Sequence, residues 1–225
     1  MRPKFLFYVF VLCAALGAGT AAEIIHTVPN SSFESRDLAD GGFTAGSIPD
    51  WTVSNNNAGD FNPTDSHYSG ASDSSGGTLP LPALGEQVAY SNHSTATIET
   101  QNALALLEHG RNYQLVVAVG ERLDSPFRGY DLALLVGGGE VASITDDSGP
   151  VPTAGAFTDV TLTYDSPPNP LDSLVGEPVT IRLSARSISG SQTNFDNIRL
   201  TSTPEPATAV LLMMGLGLVT LRRRR

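Results

Sequence analysis

The stretch Thr158-Asp159-Val160-Thr161-Leu162-Thr163-Tyr164 decides the fold class. Its apolar residues fall on every second position. In an extended chain successive side chains point to opposite faces, so Val160, Leu162 and Tyr164 share an inward face. Val179-Thr180-Ile181-Arg182-Leu183 repeats the pattern, with Val179, Ile181 and Leu183 inward. Leu115–Val119 and Leu132–Leu135 are apolar without interruption, as central strands are. Further strands are expected at Trp51–Ser54, Gln87–Ser91, Ala96–Thr100, Tyr113–Val119, Tyr130–Val136, Val141–Thr145 and Asn194–Leu200. Gly137-Gly138-Gly139, set between Val136 and Glu140, reads as a hairpin turn.

Residues 55–80 are rich in Asn, Gly, Ser, Asp and Pro and read as long loops. Gln101–His109 is the one helix-like stretch, and in this setting it reads equally as a connector. Strands at regular spacing with no long helix predict an all-β fold, an antiparallel two-sheet jelly-roll sandwich over residues 23–203. A short linker is expected at Thr201–Thr203.

Charge and cysteine narrow the function classes. Residues 23–203 hold seven arginines, no lysine and 22 acids, a balance of −15. Such a field repels phosphate backbones and anionic membranes, so nucleic acid is excluded as a partner, while divalent cations are favoured. The sole cysteine, Cys13, lies near the N-terminus, and the domain must be held by packing without disulfides.

The two ends carry their own signals. Arg2 and Lys4, then apolar Phe5–Leu16, then small residues from Gly17 to Ala22 form a three-part secretory leader, expected to be cut by signal peptidase after Ala22. At the other end, Pro204-Glu205-Pro206 precedes an uncharged run, Thr208–Leu221, and the cluster Arg222, Arg223, Arg224 and Arg225. The arginines favour the cytoplasmic side of a membrane. The run is expected to form a single apolar helix, which at about 1.5 Å per residue is shorter than a hydrocarbon core and suits a processing signal better than a lasting anchor. Residues 204–225 as a whole resemble the PEP-CTERM sorting signal of Gram-negative bacteria. That resemblance implies an exosortase that reads Pro204, Glu205 and Pro206. It also implies export through the inner membrane to the cell envelope, surface or extracellular matrix.

The middle of the chain resembles carbohydrate-binding-module and galactose-binding-like jelly rolls. The segments that carry the likeness are Asn30-Ser31-Ser32-Phe33-Glu34, Ile48-Pro49-Asp50-Trp51-Thr52-Val53 and Asn194-Phe195-Asp196-Asn197-Ile198-Arg199-Leu200. In such folds an early glutamate and a late aspartate often build a structural calcium site. The resemblance therefore implies Glu34 and Asp196 as ligands of Ca²⁺, which takes six to eight hard oxygens. The alternative is a solvated loop acid and a turn acid.

For sugar binding the aromatic supply is Trp51, Phe61, Tyr68, Tyr90, Phe127 and Tyr130. Trp51, in a strand, reads as core. Tyr68 and Phe127, each in a polar loop, read as the exposed platforms. Asp146-Asp147-Ser148-Gly149 reads as a plain turn. No Gly-x-Ser-x-Gly elbow or His-Glu-x-x-His helix is present, and His26, His67, His93 and His109 lack metal-ligand spacing. The expectation is a non-enzymatic protein that binds extracellular polysaccharide or builds biofilm matrix. The alternatives are a ligand-free coat or adhesion protein and a glycan-active hydrolase.

Overall fold

The computed structural model describes residues 22–72, 78–127, 129–186 and 192–205. Among these the regular elements are twelve strands, numbered in chain order. One sheet runs β10 (Ala156–Asp165), β7 (Arg111–Glu121), β12 (Thr193–Pro204), β4 (Val88–Ser91), β3 (Ala58–Phe61), and β1 (Ile24–His26) also pairs with β12. The other runs β2 (Trp51–Val53), β5 (Thr97–Thr100), β11 (Pro178–Ala185), β8 (Tyr130–Val136), β9 (Gly139–Thr145), with β6 (Ala105–Leu106) on β11. All these strands pair antiparallel. The architecture is the jelly-roll sandwich expected.

Alternation places the core between the sheets. Val160 and, from β11, Val179, Ile181 and Leu183 are fully buried, Leu162 nearly so, and Tyr164 packs against them. Trp51 is core, against Phe33 at 5.6 Å between ring centres. Burying each such side chain stabilises the fold by about 1.5–3 kcal/mol. Gly137 and Gly138 close the β8–β9 hairpin at φ 59° and 78°, a region that L side chains avoid.

Three departures from the sequence reading locate the site. First, residues 55–80 are not all loop, because β3 lies within them. Ala58-Gly59-Asp60-Phe61 lacks apolar alternation, but Asp60 is fully buried beneath Arg36, whose Nη1 donates to both carboxylate oxygens at 2.7 and 3.0 Å. A Cβ at Gly59 would collide with the Thr44 carbonyl oxygen. Second, Gln101–His109, which the sequence leaves open between helix and connector, is a connector that also holds the short strand β6. Third, the expected linker Thr201–Thr203 is part of β12, which continues to Pro204.

A second apolar cluster lies on the outer face of the first sheet: Phe61, Val88, Tyr90, Ala118 and Phe157, roofed by Tyr68, Ala71, Leu79 and Ala83. The segment after β3 thus folds back as a cover. Gly120 permits this, since a Cβ there would meet the Phe157 ring and the Tyr68 hydroxyl.

Candidate functional site

Beside that cover, at the end of the sheet where β12 begins and β7 finishes, lies a cleft of about 280 Å³. Gly41, Phe43, Phe61, His67, Tyr90, Asn92, Arg122 and Gln192 line it. Residues 41–46 run along β3 as an added rung: Thr44 N–H donates to Asp60 O at 2.9 Å and Gly46 N–H to Ala58 O at 2.8 Å. This carries Phe43 to the mouth, where it is 66% exposed and meets Tyr90 edge-on at 6.5 Å. The Tyr90 hydroxyl donates to Thr44 O at 2.7 Å. Burial, and then the charge of Asp60, raise its pKa, so it stays a neutral donor.

The polar wall is wired in series. Arg122 donates to Asp124 through Nε at 2.8 Å and Nη2 at 2.5 Å, and through Nη1 to Gln192 Oε1 at 2.9 Å. Asn194 Nδ2 donates to the same Gln192 oxygen at 3.2 Å, and Tyr68 O–H donates to Asn194 Oδ1 at 2.8 Å. The Arg122 guanidinium also lies 5.3 Å from the Phe61 ring centre, and His67 meets that ring edge-on at 5.0 Å. The Arg122 hydrogen bonds hold Asp124 below the usual carboxylate range. Burial and then Arg122 push His67 down, against the opposing pull of Asp124. His67 Nδ1 accepts from the Thr64 N–H at 2.8 Å. The cleft therefore offers aromatic faces and amide or guanidinium edges, and among the described residues no carboxylate lines it.

The residues expected from sequence fall differently. Tyr68 is fully buried, so the expectation that it forms an exposed platform is corrected: its ring stacks on Phe157 at 4.7 Å under the cover. Phe127 is half-buried against Tyr130 at 6.3 Å and joins the core rather than standing free. Asp146 and Asp147 form a turn, tied to Arg186 at 3.0 and 2.6 Å. Phe61 and Tyr90 were in the aromatic supply but not singled out, whereas Phe43, His67, Asn92, Arg122 and Gln192 were missed. A lone aromatic behind Gly41-Gly42 was the available signal for Phe43.

Glu34 and Asp196 are brought together. Glu34 Oε1 accepts the N–H groups of Glu86 and Gln87 at 2.9 and 2.8 Å, and Asp196 Oδ2 accepts that of Leu84 at 2.5 Å. One short segment thus binds both carboxylates. Burial, with the negative charge of Glu34 adding to it, holds Asp196 well above the usual carboxylate range. Its other oxygen, Oδ1, is buried without a hydrogen-bond partner. Two hard-oxygen groups, one with an unpartnered oxygen, fit the chemistry of a calcium site. Among the described residues no cluster of three His, Cys, Asp or Glu side chains forms, so remaining ligands would be backbone carbonyls or water.

At the chain ends, Ala22 is exposed two residues before β1, and Pro204 and Glu205 are described. The expected leader before Ala22, Pro206, the expected apolar helix after it and Arg222–Arg225 lie outside the described residues. Among the described residues no helix is long and apolar enough to cross a membrane.

A jelly roll with an aromatic cleft on one sheet's outer face defines the class, and comparison with known proteins defines the family. Residues 25–201 match the HpiC1-like family, described as HpiC1 cyclase, and the chain belongs to it. Residues 202–225 match the PEP-CTERM protein-sorting motif, which marks the chain for exosortase processing and for export to the cell envelope or surface. No curated protein matches.

Among solved structures, the Stig cyclase Fisc from Fischerella sp. TAU, in complex with (3Z)-3-(1-methyl-2-pyrrolidinylidene)-3H-indole, is 22% identical with a TM-score of 0.67. The match covers 82% of this chain and 100% of that one. A Fischerella sp. TAU cyclase with 4-(1H-indol-3-yl)butan-2-one is 23% identical, TM-score 0.66, over 81% of this chain and 99% of that one. At these identities the likeness is one of fold. The jelly roll expected from sequence stands, but the specific galactose-binding kinship is not what the family match returns.

Proposed function

We propose that the mature domain works outside the cell as a ligand-binding matrix protein, taking extracellular polysaccharide in the cleft of Phe43, Phe61 and Tyr90. The observation that supports this is the pairing of an open aromatic face with fixed polar edges. Phe43 offers a surface for the C–H face of a sugar ring, while Asn92, Gln192 and Arg122 offer donors and acceptors for its hydroxyls. A glycan array, followed by calorimetry on Phe43→Ala, tests it. The expected outcome is binding by the wild type and at least a fivefold loss in the variant. An array blank with and without calcium would remove this reading.

In the same proposal Glu34 and Asp196 hold a structural Ca²⁺ that staples the start of the domain to β12. Calcium at about a hundred times its Kd would then add about 2.7 kcal/mol of stability. Asp196→Asn should abolish the shift in melting temperature, and a wild type indifferent to both calcium and chelator would refute the staple.

A second reading, favoured by the family match, is ring closure of a small unsaturated substrate in the same cleft, with His67 and Tyr90 as the proton-bearing groups. Incubation with indole-bearing alkenes separates the two. A product of unchanged mass, lost in Tyr90→Phe with His67→Ala, supports catalysis, whereas intact substrate leaves the binding reading in place.

A further inference from the structure

The residues that open the sorting match are also rungs of the sandwich. The match begins at residue 202, and β12 ends at Pro204, so Ser202, Thr203 and Pro204 belong to both. Ser202 is buried, and its hydroxyl lies 2.9 Å from His26 Nε2. Arg111 Nη1 donates to the Ser202 carbonyl at 3.3 Å and to its hydroxyl at 3.4 Å. From one side β1 pairs Ile24 with Ser202, and from the other β7 pairs Asn112 with Thr203 and Arg111 with Pro204. The Glu205 N–H then donates to Gly110 O at 3.0 Å, while the Gly110 N–H is held by Pro167 O, also at 3.0 Å. Enzymes that grip an extended peptide do so through its main-chain donors and acceptors. Here that backbone is already engaged by β1 as far as Ser202 and by the β7 side as far as the Glu205 N–H.

We infer that the fold itself sets the position of the sorting cut. The sandwich holds the backbone through the Glu205 N–H while the Glu205 side chain stays exposed, the enzyme cuts beyond it, and the mature protein keeps Pro204 and Glu205 as its closing rungs. The inference rests on the PEP-CTERM reading and adds where the cut falls. One peptide C–N bond breaks beyond Glu205. The acyl side passes to water or to an acceptor nucleophile, and the tail departs with a free amino group. Because Ile24 pairs with Ser202, the new C-terminus emerges beside the end left by leader removal after Ala22.

The test is the full chain expressed in an exosortase-bearing host, with mass spectrometry of the exported C-terminus. The wild type should give one terminus, at Glu205 or later, and a product ending at Pro204 or earlier overturns the inference. A six-residue Gly-Ser insert between Thr203 and Pro204 frees the motif from the clamp, so termini should spread into the insert. A single terminus at an unchanged distance from the motif means that the enzyme alone measures the position, and overturns the inference as well. Glu205→Ala with Pro206→Ala checks the underlying reading, and the tail should be retained. Normal tail removal from that variant would overturn the sorting reading and this inference with it, whereas an early wild-type terminus would overturn the clamp alone.

Discussion

The two ends of the first sheet are built from the same strands and are finished in opposite ways. At one end β12 begins and β7 finishes, and the long segments 36–47 and 62–72 surround an open aromatic cleft. At the other end β12 finishes, β7 begins, and β1 pairs with β12 beside the buried Ser202. At about 3.3 Å per residue, the twelve residues of β12 separate the two ends by roughly 35 Å. The lesson is a division of labour along one strand. Loops positioned by a rigid scaffold can carry recognition, while the opposite end, where β1 and β7 flank β12 at Ser202, leads directly into the sorting motif. A domain held by its sorting end would present the cleft to the medium.

The sharpest way to break this comparison is to remove Arg36. Asp60 is fully buried, and without the guanidinium it becomes an unpaired internal charge. Arg36→Ala should cost about 3–5 kcal/mol, read by chemical denaturation. Hydrogen exchange should show residues 41–46 released while β1 and the end of β12 stay protected. Equal loosening at both ends would show that they are not independent. Next in size is Tyr68→Phe, which leaves Asn194 Oδ1 without its donor beneath the cover. The expected cost is about 1–3 kcal/mol, with ligand affinity reduced because the Asn194–Gln192–Arg122 chain loses its inner support. At the far end, Ser202→Ala removes one hydroxyl and should cost only about 1 kcal/mol, with faster exchange at Glu205 and an unchanged cleft.

Phe43→Ala sharpens the comparison from the other side. The ring is mostly exposed, so stability should move by less than about 0.5 kcal/mol, while binding falls. That split between stability and affinity is expected of Phe43 and not of Ser202.

What could be read in the sequence follows the same division. Strands with apolar alternation, such as Thr158–Tyr164 and Val179–Leu183, were legible because each encodes its own burial. Strand β3 was not, because its glycine and aspartate make sense only against Thr44 and Arg36, elsewhere in the chain. Tyr68 misled for a related reason. Its neighbours are polar, but its ring is claimed by Phe157, 89 positions later, through a fold-back that no local period records. The cleft draws on six separate stretches of chain and was invisible for that reason. The Glu34–Asp196 pairing came from resemblance, not from any pattern within either segment. The sorting motif was legible as a linear signal, but its overlap with β12 required the register.

The smallest expected effect compares the ends by pH. His26, at the sorting end, and His67, in the cleft, both have their pKa lowered, in each case mainly by burial. Around His26, Glu108 opposes that shift and Arg111 adds to it, and around His67, Arg122 adds to it while Asp124 opposes. A histidine that binds its proton less readily when folded favours the native state fully above its unfolded value, about 6.5. That contribution is lost as pH falls from there through the folded value, because the unfolded chain takes up the proton first. Melting temperature should therefore decline between pH 7 and 5.5, above the range where ordinary carboxylates titrate. His26→Gln and His67→Gln should each flatten the decline by about a degree or two. Hydrogen exchange at pH 5.5 should assign each loss to its own end, the residues around Ser202 for His26 and those around Phe61 for His67. A decline that persists unchanged in the double variant would place the acid sensitivity elsewhere and remove the histidines as reporters of the two ends.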